Sequence, residues 1–164
     1  MMKKEYEQRV KEIEEIQAKY EQRLKVMEDI QAIQDLHYEY IYWVNLCDWD
    51  KIIDLFTEDC SANIGPWGMR SGKRSLQKLF KEDIGHNNQG TGRDGHVATM
   101  PVITVDGDKA NAHWMLYIMI TDPVKGNHWG QGRHDVDYLK INGKWKIHNI
   151  WYHRWPTKET PKIK

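Results

Sequence analysis

YEYIYWVNLCDWDKIIDLFTEDC, running from Tyr38 to Cys60, reads as the end of one helix, a tight corner and a short second helix. Tyr40, Trp43 and Val44 recur at helical spacing and place an aromatic face inward. Asp48 is suited to cap the second helix, because its carboxylate can accept from the free amides of the first turn. Ile52, Ile53, Leu55 and Phe56 then give that helix a broad apolar stripe. Tyr40 and Asn45 are threaded through this apolar corner, and a buried phenol or amide needs a partner. The stretch is therefore either a packed helical hairpin with two satisfied polar side chains or the lid of a ligand pocket.

Upstream, residues 3–35 are highly charged and contain no proline or glycine. Tyr6, Val10, Ile13, Tyr20, Leu24 and Met27 follow an alternating four-and-three spacing, interrupted at Gln17. That is a narrow seam of about three heptads, close to the minimum for a coiled coil. A seam so narrow needs a partner, and we expect a second subunit. Ile30, Ile33 and Leu36 form a second apolar set after an expected break near Glu28.

Downstream, Ser61–Arg70 reads as a short strand and turn, with Gly65-Pro66 and Gly68 as breakers, and Ser75–Ile84 as a third helix. Gly85–Gly95 is a polar, glycine-rich loop, and Asp122–Gly130 a second loop. Strands are expected over Val97–Val105 and Ala110–Thr121, joined at Asp106-Gly107-Asp108. A final hairpin over Gly132–Ile141 and Lys144–Trp155 turns at Asn142-Gly143. The run from Trp114 to Ile120 is continuously apolar, as in a strand covered on both faces. Helices followed by a meander of long strands make an α+β domain, with a curved sheet wrapped around a helical layer.

Composition sets outer limits. The 164 residues carry 24 basic and 24 acidic side chains, with no basic tract, which argues against a nucleic-acid partner. Cys47 and Cys60 show no metal or redox spacing, no metal site is expected, and a reduced cytoplasmic setting fits. No apolar run reaches the roughly 20 residues of a membrane span. Eight tryptophans and eight tyrosines against two phenylalanines favour surfaces that are part apolar and part wet, such as pocket walls.

AIQDLHYEYIYWVNLCDWDKIIDLF, HVATMPVITVDGDKANAHW and DYLKINGKWKIHNIWYHRW together resemble the SnoaL-like branch of the nuclear-transport-factor-2-like superfamily. Within it the pattern is similar to that of bile acid 7α-dehydratase. The resemblance covers about Ile30 to Trp155. It implies a cone-shaped domain over 30–157, preceded by a helical extension over 1–29 and followed by a short tail over 158–164.

The resemblance also implies a set of site residues. The dehydratase tyrosine falls on Tyr40, its histidine on His96 and its late arginine on Arg154. Its helical aspartate falls on Asn45, and its strand aspartate on or beside Ile118, so two carboxylates are missing. Asp48, Asp94 and the His134-Asp135-Val136-Asp137 run offer alternative acids. Period-two alternation puts His134, Val136 and Tyr138 on one face and Arg133, Asp135 and Asp137 on the other.

The expected function is that of a cofactor-independent lyase or isomerase of dehydratase type. Its substrate would be an apolar polycyclic, steroid-like or aromatic hydroxylated small molecule. His96 would be the base, Tyr40 and Arg154 would assist at oxygen, and Asn45 would orient by hydrogen bonding. His134, Trp114, Trp151, Trp43 and Ile118 would contact substrate. The resemblance implies a homotrimer. The competing expectation is a non-catalytic binding or scaffold module of the same fold, a role the β subunits of ring-hydroxylating dioxygenases play.

Overall fold

The computed structural model describes residues 2–85, 94–121 and 126–155. Helix α1 spans Met2–Leu46, 45 residues without interruption. The expected break near Glu28 is absent, since nothing in this stretch removes a backbone donor or forces a positive φ. Residues 3–28 are exposed apart from a half-buried Val10. From Asp29 onward the helix joins the body. Asp29 is buried and accepts hydrogen bonds from Lys140 Nζ and, at 2.9 Å, from Trp145 Nε1. Ile33, Leu36, His37, Tyr40 and Ile41 then form one buried stripe at three-and-four spacing.

Cys47 turns the corner with φ 55°, and Asp48 caps α2 (Trp49–Asp54) by accepting from Lys51 N at 3.3 Å. The second helix is shorter than its apolar stripe implies. Phe56 opens strand β1 (Phe56–Asn63) instead of closing the helix, and it is buried there against Tyr40 and Phe80. A 3₁₀ turn over Gly65–Trp67 leads to β2 (Met69–Ser71). Helix α3 (Lys73–Lys78) continues as a π-helical segment over Leu79–Ile84. The glycine-rich loop expected over Gly85–Gly95 falls largely on residues 86–93, outside the described residues, as do 122–125 of the second loop.

Four long strands complete the sheet: β3 (Gly95–Asp106), β4 (Lys109–Ile120), β5 (His128–Ile141) and β6 (Lys144–Arg154). The order is β2-β1-β6-β5-β4-β3, antiparallel throughout except where β1 runs parallel to β6. Asn142 and Gly143, with φ 50° and 77°, make the tight β5–β6 turn that their sequence announces. The sheet curves, unclosed, around α1, α2 and α3, an α+β fold.

Register sorts the strand residues into two faces. Ala112, Val136, Ile150 and Ala62 lie in one inward row, and Trp114, His134 and Tyr152 in the next. Then come Ala98, Leu116, Gly132 and Arg154, followed by His96, Ile118 and Gly130. Strand β4 is not covered on both faces: Met119, on the outer side, is 44% exposed. Its apolar run is continuous in sequence, but only alternate residues are sealed.

Candidate active site

Asn45, at the tip of α1, reaches the free edge of β3. Its Nδ2 donates to His96 O at 2.9 Å, and its Oδ1 accepts from His96 N at 2.7 Å. These two bonds fix the orientation of the carboxamide, because an N–H can only donate and a carbonyl can only accept. The same Oδ1 lies 3.1 Å from His96 Nδ1. A carboxamide oxygen carries no hydrogen and can only accept, so Nδ1 carries the imidazole proton and Nε2 is left with its lone pair. Asn45 thus selects a tautomer without supplying charge.

Burial holds the His96 imidazole below its ordinary pKa, partly opposed by the negative charge of Asp94. Of the acids the sequence offers as substitutes, Asp94 acts on His96 only through this field; its Oδ1 accepts from Thr121 N at 2.8 Å. Asp48 is engaged in capping α2. Asp135 is on the outer face of the sheet, where Arg133, His113 and His153 surround its carboxylate at 2.6–2.9 Å. These contacts hold Asp135 below its usual pKa, even though its own partial burial pushes the other way.

Tyr40 is 2% exposed and packs among His37, Phe56 and His134, with ring centroids 5.7–6.1 Å apart. Burial drives its hydroxyl well above the ordinary phenol range, so it stays a neutral hydrogen-bond donor. Its hydroxyl has no hydrogen-bond partner among the described residues. His134, 3% exposed, is pushed down to about 3 by burial, then by the nearby His96, with Asp135 opposing. It is therefore neutral at any physiological pH.

Two participants have no counterpart among the residues expected from sequence. His37 is fully buried, stacked at 4.2 Å on the Trp114 ring, with Nε2 3.4 Å from His134 Nδ1. Tyr138, equally buried, places its hydroxyl 2.9 Å from His37 Nδ1 and accepts from Trp114 Nε1 at 3.1 Å. The signal for His37 was its place four residues after Ile33 and three before Tyr40, on the buried stripe of α1.

The remaining expected residues divide. Ile118 is cross-strand partner to His96 on the inward face. Arg154 shares that face, opposite Gly132 near the end of β6; it is exposed, and its charge lowers the Tyr152 hydroxyl against the larger raising effect of burial. Trp114 is sealed in the core, so it meets the site through Tyr138 and His37 and not through an open surface. Trp43 sits half-buried at the corner, donating to Glu39 at 3.0 Å, with Lys51 Nζ 3.7 Å above its ring. Trp151 is on the opposite face, paired with Asp135, which corrects its expected place in the pocket wall. An irregularity between Asp137 and Tyr138 adds one residue to β6 and reverses its alternation from there. No group of three or more His, Cys, Asp or Glu side chains that could hold a metal ion occurs among the described residues.

This chain belongs to the SnoaL-like domain family, whose model matches residues 25–150. No curated protein matches it significantly in sequence. Similar solved structures include a nuclear-transport-factor-2-like protein with a cystatin-like fold from Novosphingobium aromaticivorans. That protein is 17% identical, with TM-score 0.71, over 84% of this chain and 88% of its own. A putative scytalone dehydratase from the same organism is 20% identical, TM-score 0.69, covering 82% and 89%. Hexachlorocyclohexane dehydrochlorinase LinA-type3 from Novosphingobium barchaimii is 15% identical, TM-score 0.74, covering 85% and 95%. At these identities the likeness establishes the fold. Among the described residues no helix is long and apolar enough to cross a membrane.

Proposed function

We propose that the protein is a cofactor-independent lyase or isomerase of dehydratase type, acting on a hydroxylated apolar small molecule, polycyclic (steroid-like) or aromatic. The observation that carries this is the Asn45–His96 contact, which leaves a half-buried, neutral imidazole with an unprotonated Nε2. Such a nitrogen is a competent general base near neutral pH. His96 Nε2 takes the proton from a carbon beside an electron-withdrawing group, and that C–H pair forms the new double bond. The hydroxyl departs from the neighbouring carbon as water, carrying the proton His96 has just received. Tyr40 and Arg154 assist by hydrogen bonding to substrate oxygen. In an isomerase the same base returns the proton to a different carbon.

The nearby dehydratase and dehydrochlorinase folds support this reaction type, and the bile-acid dehydratase pattern over Tyr40, His96 and Arg154 supports the steroid-like substrate. The protein is further proposed to be a cytoplasmic homo-oligomer, a trimer, joined through the seam of α1. One observation favours a non-catalytic binding module: Asn45 cannot balance an imidazolium, and an Asp-to-Asn exchange behind a catalytic histidine costs about 10⁴ in rate in a serine protease. The two readings separate on incubating purified protein with hydroxylated steroids and aromatics. Water loss that disappears in His96→Ala supports the enzyme. Tight binding without turnover supports the module.

A further inference from the structure

Trp114, Tyr138, His37 and His134 form an unbroken polar chain through the core, and its direction can be read from one end. The indole Nε1–H of Trp114 can only donate, and its acceptor is the Tyr138 oxygen at 3.1 Å. Among the described residues the Tyr138 proton then has one acceptor within reach, His37 Nδ1 at 2.9 Å. If His37 Nδ1 instead donated into the same oxygen, the phenolic proton would be buried without an acceptor. His37 therefore carries its proton on Nε2, which faces His134 Nδ1 at 3.4 Å. His134 Nδ1 accepts, so its own proton is on Nε2, at the ring edge that has no hydrogen-bond partner among the described residues.

We propose that His37 is a positioning residue which, through this one-way chain from Trp114, fixes His134 as a neutral imidazole presenting its Nε2–H to a ligand oxygen on the inward face. The site would then hold two imidazoles of opposite character. His96 offers a lone pair because Asn45 accepts from its Nδ1, and His134 offers a proton because His37 donates to its Nδ1. No carboxylate takes part in either arrangement. Burial disfavours a charge on both His37 and His134, so the chain works by orienting neutral rings and not by moving charge. The complementary group is a carbonyl, enolate or hydroxyl oxygen, held while a proton is removed elsewhere on the same molecule. This role for His134 rests on the proposed function, whereas the state of its ring does not.

The test is long-range ¹H–¹⁵N correlation NMR on full-length protein labelled at histidine, without substrate, which distinguishes the two neutral tautomers of each ring. The expected result is His37 and His134 both in the Nε2–H form, and His96 in the Nδ1–H form. In Tyr138→Phe the first proton donor to His37 is lost, and both His37 and His134 should show a mixture of tautomers. His134 in the Nδ1–H form in the wild type overturns the proposal, as does a pure Nε2–H population that survives in Tyr138→Phe. The wild-type spectrum decides even if the variant does not fold. A fixed Nε2–H form with no turnover on any substrate leaves this inference standing and removes the proposed reaction alone.

Discussion

Asn45 meets the backbone of His96 as a neighbouring strand would, one amide group donating and accepting in register with the edge of β3. A carboxylate of the same shape cannot do this, because it has no proton for the His96 carbonyl. Asn45→Asp should therefore lower stability by about 1–3 kcal/mol, the cost of an acceptor left facing another acceptor. The same change should raise the His96 pKa, since a negative charge at Nδ1 favours the imidazolium. Chemical denaturation measures the first effect and NMR titration of His96 the second. A His96 pKa that does not move would show that the two side chains do not meet in solution.

Acid should unfold this protein earlier than its carboxylates alone require. His37, His96 and His134 all have folded pKa values below the ordinary 6.5, with burial the largest cause in each. When the unfolded chain binds a proton that the folded one refuses, stability is full above the unfolded pKa and falls as pH drops toward the folded value. For His134, whose folded value is about 3, the loss should approach about 1.4 kcal/mol per pH unit between pH 6 and 4.5, and His37 should add to it in the same direction. Urea denaturation across that window should show the slope. His134→Gln should remove about one proton's share of it; an unchanged slope would mean that His134 is not buried neutral.

Gly132 leaves room for the Tyr152 ring. A Cβ built there would come within 2.5 Å of Tyr152 Cε2 and 2.3 Å of the His153 carbonyl oxygen, and the latter belongs to the paired strand and cannot swing aside. Gly132→Ala should cost on the order of 1–3 kcal/mol through overpacking. It should also displace Tyr152 from its edge-on contact with His134, 5.8 Å between centroids. Thermal unfolding checks the stability loss. An unshifted Tm would mean that β5 and β6 yield at this point.

Tyr6, Ile13, Tyr20, Leu24 and Met27 are 56–70% exposed along the free part of α1. Full-length protein should scatter light as a mass well above one 19.5 kDa chain. Removing residues 2–27 should reduce it to a folded monomer, because the described anchoring of α1 to the sheet begins at Asp29. A monomeric full-length chain at micromolar concentration would withdraw the seam as an interface.

Much of this architecture was legible because it rests on local chemistry. Asp48 announced a cap, Asn142-Gly143 a turn, and the alternation of β5 put His134 with Tyr138 and apart from Asp135. What escaped depends on tertiary placement. Strict alternation from Trp145 and Ile147 would turn Trp151 inward; the added residue in β6 turns Tyr152 and Arg154 inward instead. Phe56 satisfied a helical stripe equally well, and pairing with Ile147 on β6 decided in favour of a strand. His37 lay in plain view on the apolar stripe of α1. Nothing local states that Tyr138, about a hundred positions later, lies across from it.

The continuity of α1 has a mechanical consequence. At ~1.5 Å per residue, residues 2–28 project about 40 Å from the body as a rigid arm. His37, Tyr40 and Asn45 are carried on the same unbroken rod, so the arm and the candidate site share one rotational phase. Each residue turns the rod by about 100°, and inserting or deleting one within 3–28 would rotate the exposed seam by that angle relative to the Asn45 clamp. Whatever surface the seam meets, its angular setting at the root is the setting of the Asn45–His96 contact.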